Sequence, residues 1–179
     1  YFLLNNSITK FGLGYNIVTS SVHPTKFTNS KGSALSEVRS NILGVMNDEE
    51  GLQPFENYLF EEVFYDSELE KSNIVKEEIR SVSVFTKIPK NSIKIPVAGG
   101  YTYSPDFAYV VETKSGEFLN LVIETKNVAG KDNLRAEEAQ KIEHAKILFN
   151  QMSLDKSVRV EFKTQFAEDK IIELIRQHI

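Results

Sequence analysis

The sequence predicts an α/β protein built on a mixed sheet with helices against it. Three observations carry that prediction. Two β-type runs, 106–112 and 118–126, lie on either side of Lys114-Ser115-Gly116; a long amphipathic segment, 134–152, follows; then Val158, Val160 and Phe162 alternate. A short turn pairs its flanking strands antiparallel, whereas a strand–helix–strand unit pairs in parallel by a right-handed crossover. The order α, β strands, α, β, α from Ser67 onward therefore needs both kinds of pairing in one sheet.

The elements follow in chain order. Residues 1–50 read as an accessory or connecting segment: a β-like run at Tyr15-Asn16-Ile17-Val18-Thr19, then a polar stretch, then a short helix over Ser36–Met46 from the spacing of Leu35, Val38, Ile42 and Val45. Gly12-Leu13-Gly14 is too short for a phosphate loop, and GxxxxGK[ST] is absent, so no ATP site is encoded. The main domain is expected over 51–179. Phe55, Leu59 and Val63 suggest one or two helical turns, and Ser67 with Glu70 has capping-box spacing for the next helix. Strands are expected at 82–85 and 93–95, closed off by Pro89, Pro96 and Gly99-Gly100. Ile142, Ala145, Leu148, Phe149 and Met152 give the long helix its apolar face, and a final helix is expected over 167–177.

Composition narrows the chemistry. The chain of 179 residues is 41% hydrophobic and 26% charged, ordinary for a folded domain. It has no cysteine, which excludes disulfides, thiolate catalysis and cysteine-based zinc sites, and agrees with a cytoplasmic location. No run of about 18 apolar residues occurs, so no membrane-spanning helix is expected, and no secretory signal is visible. The net charge of −4 argues at first against nucleic acid, but its distribution is uneven: residues 1–73 carry −5, 74–165 carry +2 and 166–179 carry −1.

Glu124-Thr125-Lys126 closes the apolar run Leu119–Ile123. In a strand Glu124 and Lys126 share a face. The E-x-K spacing alone is cheap: it occurs four times, at Glu112, Glu124, Glu161 and Glu168, and each reads by default as a solvated pair. Pro105-Asp106 singles out one. With a three-residue loop and Gly116 in the left-handed position, paired residue numbers sum to 230 and Asp106 opposes Glu124. With a two-residue loop, Asp106 opposes Thr125 and the carboxylates fall on opposite faces. In the first case the two Cβ atoms lie about 5 Å apart, where carboxylates repel unless a cation or proton intervenes. Oxygen ligands so placed suit Mg2+. Glu112, roughly 20 Å from Asp106 along the strand, cannot share that ion.

Pro105-Asp106 with Glu124-Thr125-Lys126 resembles the PD-(D/E)xK nuclease motif, and more narrowly the C-terminal nuclease domain of the Res subunit of type III restriction enzymes. The supporting segments are Tyr65-Asp66-Ser67-Glu68-Leu69-Glu70-Lys71, Lys87-Ile88-Pro89, Ile95-Pro96, Tyr103-Ser104-Pro105-Asp106-Phe107-Ala108, Leu121–Lys126 and Leu134–Ile142. The likeness covers about residues 65–152. It implies a restriction-endonuclease-like αβββαβ core and Mg2+-dependent cleavage of double-stranded DNA. Asp106 and Glu124 would hold the metal with the Thr125 carbonyl, and Lys126 would orient or activate water. Glu70 would reach the metal through water; against this stands its role as a helix-capping acceptor. Lys141 and Arg135 would contact DNA, where the plainer reading is solvated helix charge.

The resemblance also implies a methyltransferase (Mod) subunit and a helicase-like region as partners, with ATP serving that motor and not this chain. Two departures are visible: Asn127 stands where many members have glycine, and residues 1–50 match no part of the family. Other readings kept open are a catalytically silent nuclease-like domain that binds DNA or docks on subunits, and a PD-(D/E)xK repair nuclease. Lys87, Lys90 and Lys94 read as a lysine-bearing loop, DNA-facing or merely solvated. His23, His144 and His178 have no metal-ligand spacing, and Tyr101 and Tyr103 could stack on bases but more often support a strand.

Overall fold

Alternation and turn chemistry decide the sheet. The computed structural model describes residues 29–31, 33, 35–47, 52–75, 80–90, 92, 95–96, 102–154 and 159–179. The expected strand at 15–19, residues 93 and 94 of the expected strand at 93–95, the glycines at 12, 14, 99 and 100, His23, Tyr101, Val158 and the Tyr103 side chain lie outside these residues.

The elements are α1 (Glu68–Val75), β1 (Val82–Lys87), β2 (Ile95–Pro96), β3 (Thr102–Tyr103), β4 (Phe107–Glu112), β5 (Phe118–Lys126), α2 (Ala136–Leu154), β6 (Val160–Phe166) and α3 (Ile171–Arg176). Strands β1, β4, β5 and β6 form one sheet in that order, and β2 and β3 form a separate ribbon. The β1–β4 and β4–β5 pairs are antiparallel and β5–β6 is parallel. The succession α1, β1, β4, β5, α2, β6 is the expected αβββαβ order, with the ribbon inserted and α3 appended.

The β4–β5 hairpin uses the three-residue loop. Thr113 and Glu117 close it through a 2.9 Å bond, Gly116 has φ 76° and its N–H donates to the Thr113 carbonyl at 2.9 Å. The ladder above it pairs Glu112 with Phe118 and Phe107 with Ile123, all on the sum of 230. Glycine fits the left-handed position because it has no Cβ to collide with the backbone.

Both faces of the sheet are covered. On one, Phe85, Phe107, Tyr109, Val111, Leu119, Leu121 and Ile123 pack with Ile74 of α1 and with Ile171 and Ile175 of α3. On the other, Val122, Val160 and Phe162 pack with Ile142, Ala145, Leu148 and Phe149 of α2. The Phe149 and Phe162 rings stack with centroids 5.6 Å apart. Strand β5 is therefore buried on both sides, which explains its near-continuous apolar run.

Three expectations fail at the edges of this core. The helix over 36–46 is only a 3-10 turn at Ser40–Ile42. Leu35 and Val45 are exposed rather than packed, and Met46 instead pairs with Tyr65 through bonds of 3.0 and 3.1 Å. The helical turns around Phe55–Val63 are absent, because this segment covers the open edge of β1. Phe85 N–H donates to the Asn57 carbonyl and Leu59 N–H to the Phe85 carbonyl, both at 2.9 Å. The last helix is shorter than 167–177, since the Asp169 carboxylate first turns the chain back to accept the Phe166 N–H at 2.9 Å. Backbone pairing outbids local periodicity where an edge needs partners.

Candidate active site

The central strand carries the first two residues to the rim of the sheet. Glu124, at the buried end of β5, is 5% exposed, and its Oε1 lies 2.7 Å from Lys126 Nζ on the same strand face. Its other oxygen, Oε2, is buried with no hydrogen-bond partner among the described residues. Lys126 also lies 3.9 Å from Glu138 Oε1 in the first turn of α2. The same E-x-K spacing at Glu161 and Lys163 gives an ion pair of 2.9 Å as well, but on partly exposed side chains. Burial separates the two cases, not spacing.

Asp106 immediately precedes β4, just beyond the last ladder pair, Phe107 with Ile123. Its backbone is fixed on both sides, with its N–H donating to the Ile123 carbonyl at 3.1 Å and its carbonyl accepting the Ile88 N–H at 2.7 Å. Its Oδ2 accepts both the Thr125 N–H and the Thr125 hydroxyl at 2.7 Å, which leaves Oδ1 unbonded among the described residues.

The electrostatics are those of crowded carboxylates. Burial, with the Asp106 charge added, pushes the Glu124 carboxyl up to about 8 despite the Lys126 ammonium. Burial likewise raises Asp106 above its ordinary range, with Glu70 adding repulsion and the Thr125 bonds opposing. For Lys126 burial pulls downward, yet Glu124, Asp106 and Glu138 together outweigh it and the net direction is up. Lys126 is thus held as an ammonium. An unsatisfied buried carboxylate oxygen beside a second carboxylate is what a cation site leaves behind in its donors, so the residues fit a hard divalent ion.

Glu70 comes near this pair without joining it. Its Oε2 accepts the Asp66 N–H at 2.7 Å and lies 2.7 Å from Lys87 Nζ, while the Ser67 hydroxyl accepts the Glu70 N–H at 3.3 Å. The helix cap therefore forms, with Glu70 reaching one residue further back than the usual box. Among the described residues no three of His, Cys, Asp and Glu cluster closely enough to hold a metal together. Arg135 is fully exposed and pairs with Glu138 at 3.1 Å, and Lys141 pairs with Glu137 at 2.7 Å. His144 is buried with Nδ1 unpartnered among the described residues, and His178 lies 3.4 Å from Glu161.

Lys87 is the correction to the lysine-bearing loop. It lies at the end of β1, buried, 2.8 Å from Asp66 and 2.7 Å from Glu70, whereas Lys90 is exposed, 3.1 Å from Asp66. The signal was present in the sequence: Phe85 and Lys87 share a strand face, and a lysine in phase with a core aromatic needs a buried partner. Glu138 was missed too, since its approach to Lys126 depends on how α2 docks.

A mixed sheet that brings an aspartate and a Glu-x-Lys to neighbouring strand ends, with helices on both faces, is a restriction-endonuclease-like architecture. The chain belongs to the family described as an endonuclease domain, whose pattern matches residues 56–169. It is 66% identical over 175 residues to the type III restriction-modification enzyme EcoPI Res subunit of Escherichia phage P1, covering 98% of this chain and 18% of that protein. The EcoP15I Res subunit of Escherichia coli is 65% identical over the same shares, and the StyLTI Res subunit of Salmonella typhimurium is 32% identical over 128 residues, 70% of this chain and 12% of that protein. The chain thus spans less than a fifth of the relatives it matches. No solved structure matches it. Among the described residues no helix is long and apolar enough to cross a membrane.

Proposed function

We propose that this endonuclease domain hydrolyses phosphodiester bonds of double-stranded DNA with Mg2+, as the cleavage module of a type III restriction enzyme acting in the cytoplasm. The endonuclease unit would span 51–179, with 1–50 joining it to the rest of its subunit. The observation that carries the reading is the convergence of Asp106 and Glu124, with a buried, unbonded Glu124 oxygen beside the Lys126 ammonium.

In this reading Asp106, Glu124 and the Thr125 carbonyl would hold the ion. A divalent metal offsets charge on phosphate oxygens and lowers the pKa of water. The chain's own residues do the rest. Thr125 fixes the Asp106 rotamer through two bonds to Oδ2. Lys126, kept protonated by its acidic neighbours, donates to the attacking water and to the non-bridging phosphate oxygens; an ammonium in this state acts as donor and fixed charge, not as a base. Glu138, 3.9 Å from Lys126, would stand beside the ammonium as a second carboxylate. Arg135 and Lys141, at the start of α2, would meet the DNA backbone. A Mod subunit and an ATP-driven motor region would supply site recognition and delivery.

The test is Asp106→Ala and Lys126→Ala in the full-length subunit assembled with its methyltransferase. Each is expected to lower DNA cleavage by about 10²-fold or more with ATP hydrolysis retained. Cleavage that survives either change sinks the assignment.

A further inference from the structure

Lys87 is a lysine where a core strand would ordinarily carry an aliphatic residue. Its neighbour two positions back, Phe85, and its cross-strand partner Phe107 are both core side chains. Burying an ammonium costs several kcal/mol unless its partners are well placed, so apolar packing alone would favour leucine or methionine there. Two carboxylates surround it, Asp66 at 2.8 Å and Glu70 at 2.7 Å. Asp66 is held independently by Lys90 at 3.1 Å and by the Val45 N–H at 3.1 Å. Among the described residues Glu70 has no other cation; its Oε2 takes Lys87 and the Asp66 N–H, and its Oε1 takes no bond.

We propose that Lys87 is a positioning residue for the metal centre: it clamps one oxygen of Glu70 so that the second oxygen serves the water shell of a divalent ion held by Asp106 and Glu124. The proposal deepens the nuclease reading above and rests on it. Lys87 pairs across the sheet with Phe107, the residue after Asp106, and the next residue, Ile88, donates its N–H to the Asp106 carbonyl at 2.7 Å, so the carboxylate that Lys87 holds is tied to the Asp106 strand end. Lys126 holds Glu124 from one side at 2.7 Å. Lys87 holds Glu70 from the other at 2.7 Å, joining β1 to α1. The alternative is that the Asp66–Lys87–Glu70 triad merely staples α1 to the sheet. A staple would move stability and leave metal affinity alone.

The experiment measures Mn2+ binding to this chain by the loss of the free-ion paramagnetic resonance signal, without DNA and without turnover. Lys87→Met and Glu70→Gln are each expected to weaken binding by about 10- to 100-fold, the usual cost of removing a residue that orients a metal's ligands. The double variant is expected to be no weaker than either single one, because both changes act through one carboxylate. Lys87→Arg should regain most of the affinity. Wild-type Mn2+ affinity in Glu70→Gln overturns the proposal, as does a double variant whose losses add. Should Lys87→Met fail to fold, Glu70→Gln decides alone, since it keeps shape and leaves Lys87 paired with Asp66. Asp106→Ala separates the two levels. If it abolishes binding while Glu70→Gln does not, only the clamp is wrong; if it binds Mn2+ normally, the nuclease reading falls and the clamp with it.

Discussion

Glu124 is the residue on which the chemistry and the folding energetics meet. Its carboxyl, ordinarily near 4.5, stands at about 8 because burial and the Asp106 charge disfavour ionisation. Between those values the folded chain holds a proton that the unfolded chain has released, so stability falls as pH rises through that window. Asp106, shifted in the same sense, adds to the slope. In metal-free buffer, denaturant unfolding followed from about pH 5 to 9 should therefore show declining stability, and Glu124→Gln should remove part of that decline. A divalent ion must displace the proton, so its affinity should rise with pH up to about 8 and its binding should release protons. Calorimetry in buffers of different ionisation heat reads that release directly; a binding heat independent of buffer at pH 6.5 or so would contradict the shift. The placement of Glu124 and Lys126 on β5 and of Asp106 just before β4 was legible in the sequence, because strand alternation and one turn length set it. The burial of Lys87 was legible from its phase with Phe85, but its partners were not: Asp66 stands just before α1 and Glu70 on it, and no local rule says which strand end that helix approaches.

At the scale of elements, the hairpin turn is the part on which the site's register depends. Gly116 has φ 76° with open space around the position a Cβ would take, so a side chain there meets strain in the backbone and not a neighbour. Gly116→Val should cost about 1–2 kcal/mol, read as a lower denaturant midpoint. An unchanged midpoint would mean that the loop does not need the left-handed residue. Gly44 makes the opposite case. A Cβ there would meet the Tyr65 backbone nitrogen at 2.4 Å, so Gly44→Ala should destabilise more than Gly116→Ala and loosen the Met46–Tyr65 bridge. These two glycines also divide what the sequence revealed. Gly116 sits between two alternating runs and announces its turn. Gly44 sits inside a helical spacing of apolar residues, and only the distant Tyr65 strand-like partner turns that spacing into a 3-10 turn and a bridge. The long helix and the β4–β5 pair were readable because their own periodicity faces the core; the segments at 36–46 and 55–64 were not, because they serve backbone groups of other elements.

Across the whole molecule, one buried contact joins the first helix of the core to its last strand. Asn73 on α1 and Gln165 on β6 exchange two amide hydrogen bonds, 2.6 Å from Asn73 Nδ2 to Gln165 Oε1 and 3.0 Å in return, and Gln165 Nε2 also donates to the Asp169 carbonyl at 3.1 Å. Both side chains are nearly inaccessible. The pair lies one helical turn from Glu70, so it fixes the side of the sheet on which α1 presents that carboxylate. It also sets β6 against α1 on the face where Ile171 and Ile175 pack. Nothing in local sequence could reveal it, since the partners stand 92 positions apart and each amide alone reads as surface. Removing one member strands the other in a dry site, and an unsatisfied buried amide costs about 1–3 kcal/mol. Asn73→Ala should lower unfolding free energy by that amount in metal-free buffer. Asn73→Ala combined with Gln165→Leu should cost less than the two single changes added together, because the second substitution removes the group the first left unpaired. Denaturant titration of the four proteins gives the coupling. Strict additivity would mean that the two amides are solvated independently, and that α1 is held to the sheet by the apolar contacts of Ile74 and by the Glu70–Lys87 ion pair.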